Sequence, residues 1–305
     1  MIVTIAAQQV RVLRRQRIFL TLLGTLMVMT ALAGVIGWSS HHTIVGVYDQ
    51  AVQLLTAAGQ PAPPSPFALK PTLSLLSNMA IYIPLIGALL AIVLGHLSLA
   101  DDQSTGVGQL IFTRAVSRTD YILGKMLGAA GVLAAILTIS VVLSAVSLLV
   151  VNQAVPSAAD IGRLIVFYGL SWLYLLLFAL VGMLTVLMTR RRSLALLSAL
   201  GVWLVLTFVV PQFTSGLRPT ASLNPISNPV SLSQPFFDLT ARARPLSVSE
   251  QYKTASAQIL QTAAPDPATV AAGHVLPIAV ITLVLGLLIV ALVRRHDYSR
   301  ATANE

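Results

Sequence analysis

Six stretches of this chain contain no Asp, Glu, Lys or Arg: Ile18 to Tyr48, Pro71 to Ala100, Met126 to Ala159, Leu164 to Thr189, Ser193 to Leu217 and Pro267 to Val293. Each is longer than the roughly 20 residues that carry a helix across a bilayer. One such run could be the buried core of a soluble domain. Six could not, because the helices of a globular domain keep a charged face toward water. A transmembrane barrel is excluded as well, since its strands are segments of about 10 residues of alternating polarity and these runs are apolar on every face. Composition agrees: 56% of the 305 residues are hydrophobic and only 10% are charged, against about 25% charged in soluble domains. The expected fold is therefore an all-α integral membrane protein with six transmembrane helices in a single domain, residues 1–305. The chain has no cysteine, which removes disulfides, thiolate metal sites and cysteine nucleophiles.

A formal charge of +9 would suggest nucleic acid in a soluble protein, so the position of the basic residues decides what it means. They flank the apolar runs. Arg11, Arg14, Arg15 and Arg17 precede the first; Arg114, Arg118 and Lys125 lie between the second and third; Arg190, Arg191 and Arg192 between the fourth and fifth; Arg294, Arg295 and Arg300 follow the sixth. Arg and Lys in short flanking loops stay on the cytoplasmic side, and all four groups fit one topology with both termini in the cytoplasm. The charge thus points to membrane lipid rather than nucleic acid, in a multi-pass protein of the cytoplasmic (inner) membrane. The spans are expected at 18–38, 78–100, 121–151, 164–189, 193–213 and 273–293, with a cytoplasmic loop at 101–120 and a cytoplasmic tail at 294–305. Outside lie a loop at 39–77, a short turn, and a segment at 214–272. Trp38 and the Tyr168/Trp172 pair fall near outer span ends, where amphipathic rings favour the headgroup region; Trp203 sits deeper, as a packing residue.

Residues 1–17 place Ile2, Ile5, Ala6, Val10 and Leu13 at helical spacing beside arginines, the pattern of an interfacial elbow helix leading into the first span. The basic lead followed by Ala31-Leu32-Ala33 also resembles a cleaved signal sequence, but the apolar run continues to Trp38, which favours a retained span. Pro61, Pro63, Pro64, Pro66 and Pro71 make the first outer loop an extended connector. In the second outer segment, Asn224-Pro225 and Asn228-Pro229 are turn signals, and Leu246 to Leu260 reads as a helix capped by Ser247 or Ser249. Together with Phe236 and Phe237 this suggests a small extracytoplasmic subdomain.

Catalytic motifs are missing. Gly124-Lys125 is followed by Met126 and has no upstream glycine at phosphate-loop spacing, and neither H-E-x-x-H nor G-x-S-x-G occurs. His41 and His42 are adjacent, so their side chains diverge on a helix, and no carboxylate lies nearby until Asp49. No catalytic, metal or cofactor-binding residue is therefore assigned. His96 is the one ionisable group well inside a run. Transporters driven by an ion gradient generally carry a carboxylate or comparable group at membrane depth, and no run offers one. Work done by this bundle must then arrive from outside the chain, through a cytoplasmic surface. The substantial inner loop is 101–120, where Val107, Leu110 and Ile111 follow i, i+3, i+4 spacing and can present an apolar ridge; on the residues alone the loop is equally an ordinary connector stabilised by its caps. Ser117-x-x-Asp120 is a capping box that starts the next helix, and Gly124 and Gly128 follow at G-x-x-x-G spacing, so another helix can approach closely. Within the spans, Ser140, Ser144 and Ser147 form a small-polar stripe suited to helix packing or to lining a path. Pro84 with Gly87 should kink or loosen the second span.

The segment Leu97 to Gly128 resembles the ABC-2 type permeases, the transmembrane subunits of ATP-binding-cassette exporters. The likeness is carried by Asp101/Asp102, Thr105-Gly106, Leu110-Ile111, Val116-Ser117-Arg118 and Leu123-Gly124-Lys125-Met126-Leu127-Gly128. Ala115 stands where the family usually has a proline, and the acidic pair is Asp where Glu is common. The segment Leu246-Ser247-Val248-Ser249 before Tyr252 is similar to a subgroup that includes the membrane subunit of the nitrous-oxide-reductase maturation exporter. The resemblance implies that loop 101–120 docks into a separate ATPase subunit through Asp101, Asp102, Thr105, Gly106, Val107, Leu110, Ile111, Phe112, Arg114, Ser117 and Arg118, with Gly124 and Gly128 packing helices. It also implies a second permease copy as a homodimer, two ATPase subunits that hold ATP and Mg, and room for an extracytoplasmic protein at 214–272. An ATP-independent membrane scaffold or assembly factor, and more remotely a polytopic membrane enzyme, are the competing readings; cargo is not legible.

Overall fold

A computed structural model describes residues 2–13, 15–61, 73, 76–104, 117–152, 157–189, 191–214, 239–240, 242–262 and 271–295. Among the described residues every regular element is helical. Helix α1 is Ile2–Leu13 and α2 is Arg17–Ala57. Helix α3 is composite: Met79–Tyr82, a π turn over Ile83–Gly87, then Ala88–Ser104. Helices α4 and α5 are Arg118–Asn152 and Ala158–Met188. Helix α6 joins Arg192–Leu204, a second π turn over Val205–Val209, and Val210–Thr214. Helix α7 is Val248–Ile259 and α8 is Ala271–Arg295. Six of these are long and apolar enough to cross a membrane: α2, α3, α4, α5, α6 and α8.

Burial divides the six into two classes. The apolar windows of α3 and α5 are each 67% buried, whereas those of the other four are 17–33% buried. Helices α3 and α5 are thus the axis, and the others present most of their apolar surface outward, where lipid is the matching solvent. The axis is held by backbone-to-backbone contact. A Cβ at Gly95 would overlap the carbonyl of Ala179, whose carbon lies 2.7 Å away, and one at Gly182 would overlap the carbonyl oxygen of Ile92 and stand 3.0 Å from the amide nitrogen of His96. Only glycine permits this approach from both sides.

Helix α2 departs from the sequence reading. The loop expected at 39–77 is helical as far as Ala57, because Ser39-Ser40-His41-His42 are polar without being helix breakers, and Ile44, Tyr48, Ala51 and Leu55 keep a half-buried stripe at helical spacing. The helix ends where Gly59 adopts a left-handed φ of 71° and Gln60 donates its N–H to the Leu55 carbonyl at 2.9 Å, a glycine-terminated cap. Most of the proline segment that follows lies outside the described residues.

The disruption expected at Pro84 takes the form of the π turn in α3, consistent with a residue that has no N–H to offer the preceding turn. Trp203 is more than packing: its indole Nε1 donates to the Pro84 carbonyl at 3.0 Å. The Tyr168/Trp172 pair faces the bundle instead of the headgroups. Tyr168 pairs with Ser144 at 2.7 Å and Trp172 Nε1 donates to the Ala130 carbonyl at 2.9 Å. The serine stripe on α4 serves helix packing. Ser140 and Ser147 donate to their own helix at Ile136 and Leu143, and a Cβ at Gly34 of α2 would come within 2.8 Å of Ser147 Cβ.

Candidate functional site

The residues singled out by sequence gather where α3 ends and α4 begins. Thr105, Gly106, Val107, Leu110, Ile111, Phe112 and Arg114 lie outside the described residues. Asp101, Asp102, Ser117 and Arg118 mark the two roots of that loop, and the geometry there is complete enough to read. Ser117 Oγ accepts the Asp120 N–H at 3.0 Å, which is the serine half of the expected capping box. Arg118 is exposed and reaches toward the last turn of α8, its guanidinium 3.5 Å from the Arg294 carbonyl.

The two acids turn inward, toward the chain itself. Asp102 Oδ2 accepts the Tyr121 hydroxyl at 2.6 Å and lies 2.6 Å from Lys125 Nζ, with the lysine and aspartate side chains 8% and 15% exposed. Tyr121 and Lys125 are four residues apart on α4, so they share one face, and the ammonium stands 5.6 Å from the Tyr121 ring centre. Asp101 Oδ1 pairs with Arg192 at the start of α6, and its Oδ2 accepts from Gln16 Nε2, in the link between α1 and α2, at 3.0 Å. Of the two pairs only Asp102–Lys125 is largely buried, and such a pair is costly to break on one side, by about 3–5 kcal/mol, because the remaining charge is stranded.

One turn deeper, Gln9 of α1 is buried and donates to Ser98 Oγ, which in turn donates to the Leu94 carbonyl at 2.6 Å. The close approach expected at Gly128 is made by α1. A Cβ there would overlap Gln9 and come within 3.1 Å of Ala6 Cα. Helix α1 is thus seated on α4, and Gly124 is buried along the same helix. Gly128→Val should lever α1 away, at the roughly 1–3 kcal/mol that overpacking costs. Tryptic cleavage at Arg11 and Arg15 in mild detergent should accelerate by about tenfold, the rate equivalent of 1.4 kcal/mol. An unchanged cleavage rate would show that the contact carries no weight.

Sequence reasoning missed Gln9, Gln16, Ser98 and Tyr121, counted Arg192 only as a flanking charge, and took Lys125 as a flanking charge and a member of the resembling motif without giving it a partner. A signal existed for Lys125, since a lysine one turn inside the span expected at 121–151 needs a counter-charge and the nearest acids upstream are Asp120, Asp102 and Asp101. The glutamines carried none, because a neutral amide in an amphipathic helix reads as its polar face.

A second polar seam lies at the other end of the bundle. Helix α7, expected as part of an outer subdomain, packs against α5, α6 and α8. Val248, Ser249, Tyr252, Ala255, Ser256 and Ile259 are buried. Ser249 Oγ donates to the Leu206 carbonyl in the π turn of α6 at 2.9 Å and accepts from Tyr174 at 3.1 Å. Ser171 donates to Phe167 at 2.8 Å, leaving its oxygen to accept the Tyr252 hydroxyl at 2.9 Å. His274 Nδ1 meets Gln251 Oε1 at 2.5 Å. Ser247 sits at the N-terminal boundary of α7 without a side-chain capping bond, and Ser249 is spent on α6 and α5, so neither serine caps the helix as expected.

Comparison with known sequences places the chain. The family described as ABC-2 family transporter protein matches residues 3–296, and the chain belongs to that family. No curated protein matches it. The chain is a multi-pass, all-helical membrane protein of a transporter family.

Proposed function

We propose that this ABC-2 family member is the permease subunit of an ATP-binding-cassette exporter, worked from the cytoplasm by a separate ATPase that docks on the α3–α4 loop. The observation that carries this reading is the build of the loop's roots. Loop 105–116 springs from two helices bound to each other by Asp102, Tyr121 and Lys125, which suits a handle that receives force. The distribution of arginines supports a cytoplasmic position for those roots and for both termini, with the chain in the inner membrane. Val107 to Phe112 form the docking ridge; ATP and Mg are bound by the ATPase dimer. Two copies of the permease face each other across the cargo path. The segment Leu246-Ser247-Val248-Ser249 with Tyr252 supports a place beside the membrane subunit of the nitrous-oxide-reductase maturation exporter, and the neighbouring part of 214–272 is the surface offered to an extracytoplasmic protein.

The test is purification of the full chain from its native membrane in mild detergent. An ATP-binding-cassette ATPase should be retained at one copy per permease, and Leu110→Asp with Ile111→Asp should release it while membrane insertion is unchanged. Reproducible absence of an ATPase would favour the ATP-independent scaffold. Solute pumping by the chain alone on an ion gradient would overturn both readings.

A further inference from the structure

The acids at the head of the loop suggest contact with a partner, yet their oxygens are occupied inside the chain. Both oxygens of Asp101 and one of Asp102 are engaged by Arg192, Gln16, Tyr121 and Lys125. These four partners come from the α1–α2 link, α4 and α6. Two adjacent residues at the end of α3 therefore tie together three other segments of the bundle. The Lys125 and Asp102 side chains are mostly withdrawn from solvent, so that pair is not screened as a surface ion pair would be, whereas Arg192 opposite Asp101 is nearly half exposed.

We propose that Asp101 and Asp102 form a clasp that makes the roots of the α3–α4 loop move as one body with α6 and the α1–α2 link, so that a push on the loop reaches four segments at once. In this role they are positioning residues and do not contact the ATPase. A loop on free-standing stems would absorb displacement by splaying them. With Asp102 locked to Tyr121 and Lys125 the stems cannot part, and with Asp101 locked to Arg192 the displacement passes to α6. The transmission half of the proposal rests on the exporter reading; the clasp itself does not.

The test has two arms, both on the full chain. Without ATPase, hydrogen exchange is compared in Asp102→Asn, Lys125→Met, Tyr121→Phe and the exchanged pair Asp102→Lys with Lys125→Asp. Amides of the last turn of α3 and the first two turns of α4 should exchange about tenfold faster in the first two variants, less so in Tyr121→Phe, and near the original rate in the exchanged pair. Unchanged exchange in both Asp102→Asn and Lys125→Met overturns the clasp. Tyr121→Phe removes no charge and serves if the other single variants fail to fold.

In the second arm, the absence of native cysteine allows spin labels at Leu149→Cys on α4 and Val209→Cys on α6, both exposed. Trapping the ATPase with ATP and vanadate should leave the distance between labels unchanged in the original chain, because α4 and α6 move as one body. In Asp102→Asn, with the ATPase still bound, the distance should change on trapping, and in the exchanged pair it should hold again. A distance that changes in the original chain, or that stays unchanged in Asp102→Asn, overturns the transmission role, and loss of ATPase binding in that variant overturns the claim that these acids do not contact it. Failure of any ATPase to bind the original chain defeats the exporter reading and leaves the first arm to decide the clasp.

Discussion

Gly95→Ala should be among the most damaging single-methyl changes in this protein. The added carbon would overlap the Ala179 carbonyl, and a backbone group on a packed helix cannot turn aside as a side chain can. Helices α3 and α5 would have to separate along the axis of the bundle, at about 3 kcal/mol, the upper part of the range for overpacking. Gly169→Ala on α5 and Gly131→Ala on α4 make the same chemical change where nothing lies within 4 Å. Those should be neutral or stabilising, by up to the roughly 0.8–1 kcal/mol of helix propensity that separates alanine from glycine. Thermal unfolding in mild detergent checks the sign: Gly95→Ala should melt lower, the two controls at or above the original. Equal melting of all three would mean that the α3–α5 crossing does not limit stability.

Tyr252→Ala should undock α7. The Tyr252 ring is fully buried, 4.5 Å from the Tyr174 ring, with its hydroxyl on Ser171. Removing a buried aromatic typically costs about 3–5 kcal/mol, and α7, a polar helix with few apolar anchors besides Val248 and Ile259, has little else to hold it. Tyr252→Phe loses only a hydrogen bond, about 1 kcal/mol, and Ser171 keeps its bond to Phe167. Hydrogen exchange over 248–259 should therefore rise steeply in Tyr252→Ala and modestly in Tyr252→Phe. Similar exchange in the two would place the strength of the seam in the hydroxyl network instead of the ring.

The six spans were legible because lipid imposes a rule that a single sequence can display: long, apolar and free of charge. Gly128 was legible as a place of close approach, because its spacing from Gly124 is a known packing signature. The identity of the approaching helix was not, since nothing local in α4 encodes that α1 folds back onto it. Gly95 and Gly182 escaped notice for a related reason. Each has no second glycine at G-x-x-x-G spacing in its run, and its meaning lies in a partner more than eighty residues away. Helix α7 was legible as a helix but its docking on the bundle was not, because its serines and glutamine read as a solvated face when they are instead the polar half of a buried seam. At the loop, the acidic pair was recognised and its direction was not; charge spacing along the chain does not say whether a carboxylate looks out or in.

Helix α2 is 41 residues long, about 60 Å at 1.5 Å per residue, against a hydrocarbon layer of about 30 Å. Its root adjoins Gln16, which is bonded to Asp101. Gly34 against Ser147 holds the helix to α4 near mid-length, so a tilt turns about that crossing: about 10° there carries the far tip, roughly 35 Å on, through about 6 Å. The two ends of α2 would then travel in opposite senses, the Gln16 end one way and Ala57 the other.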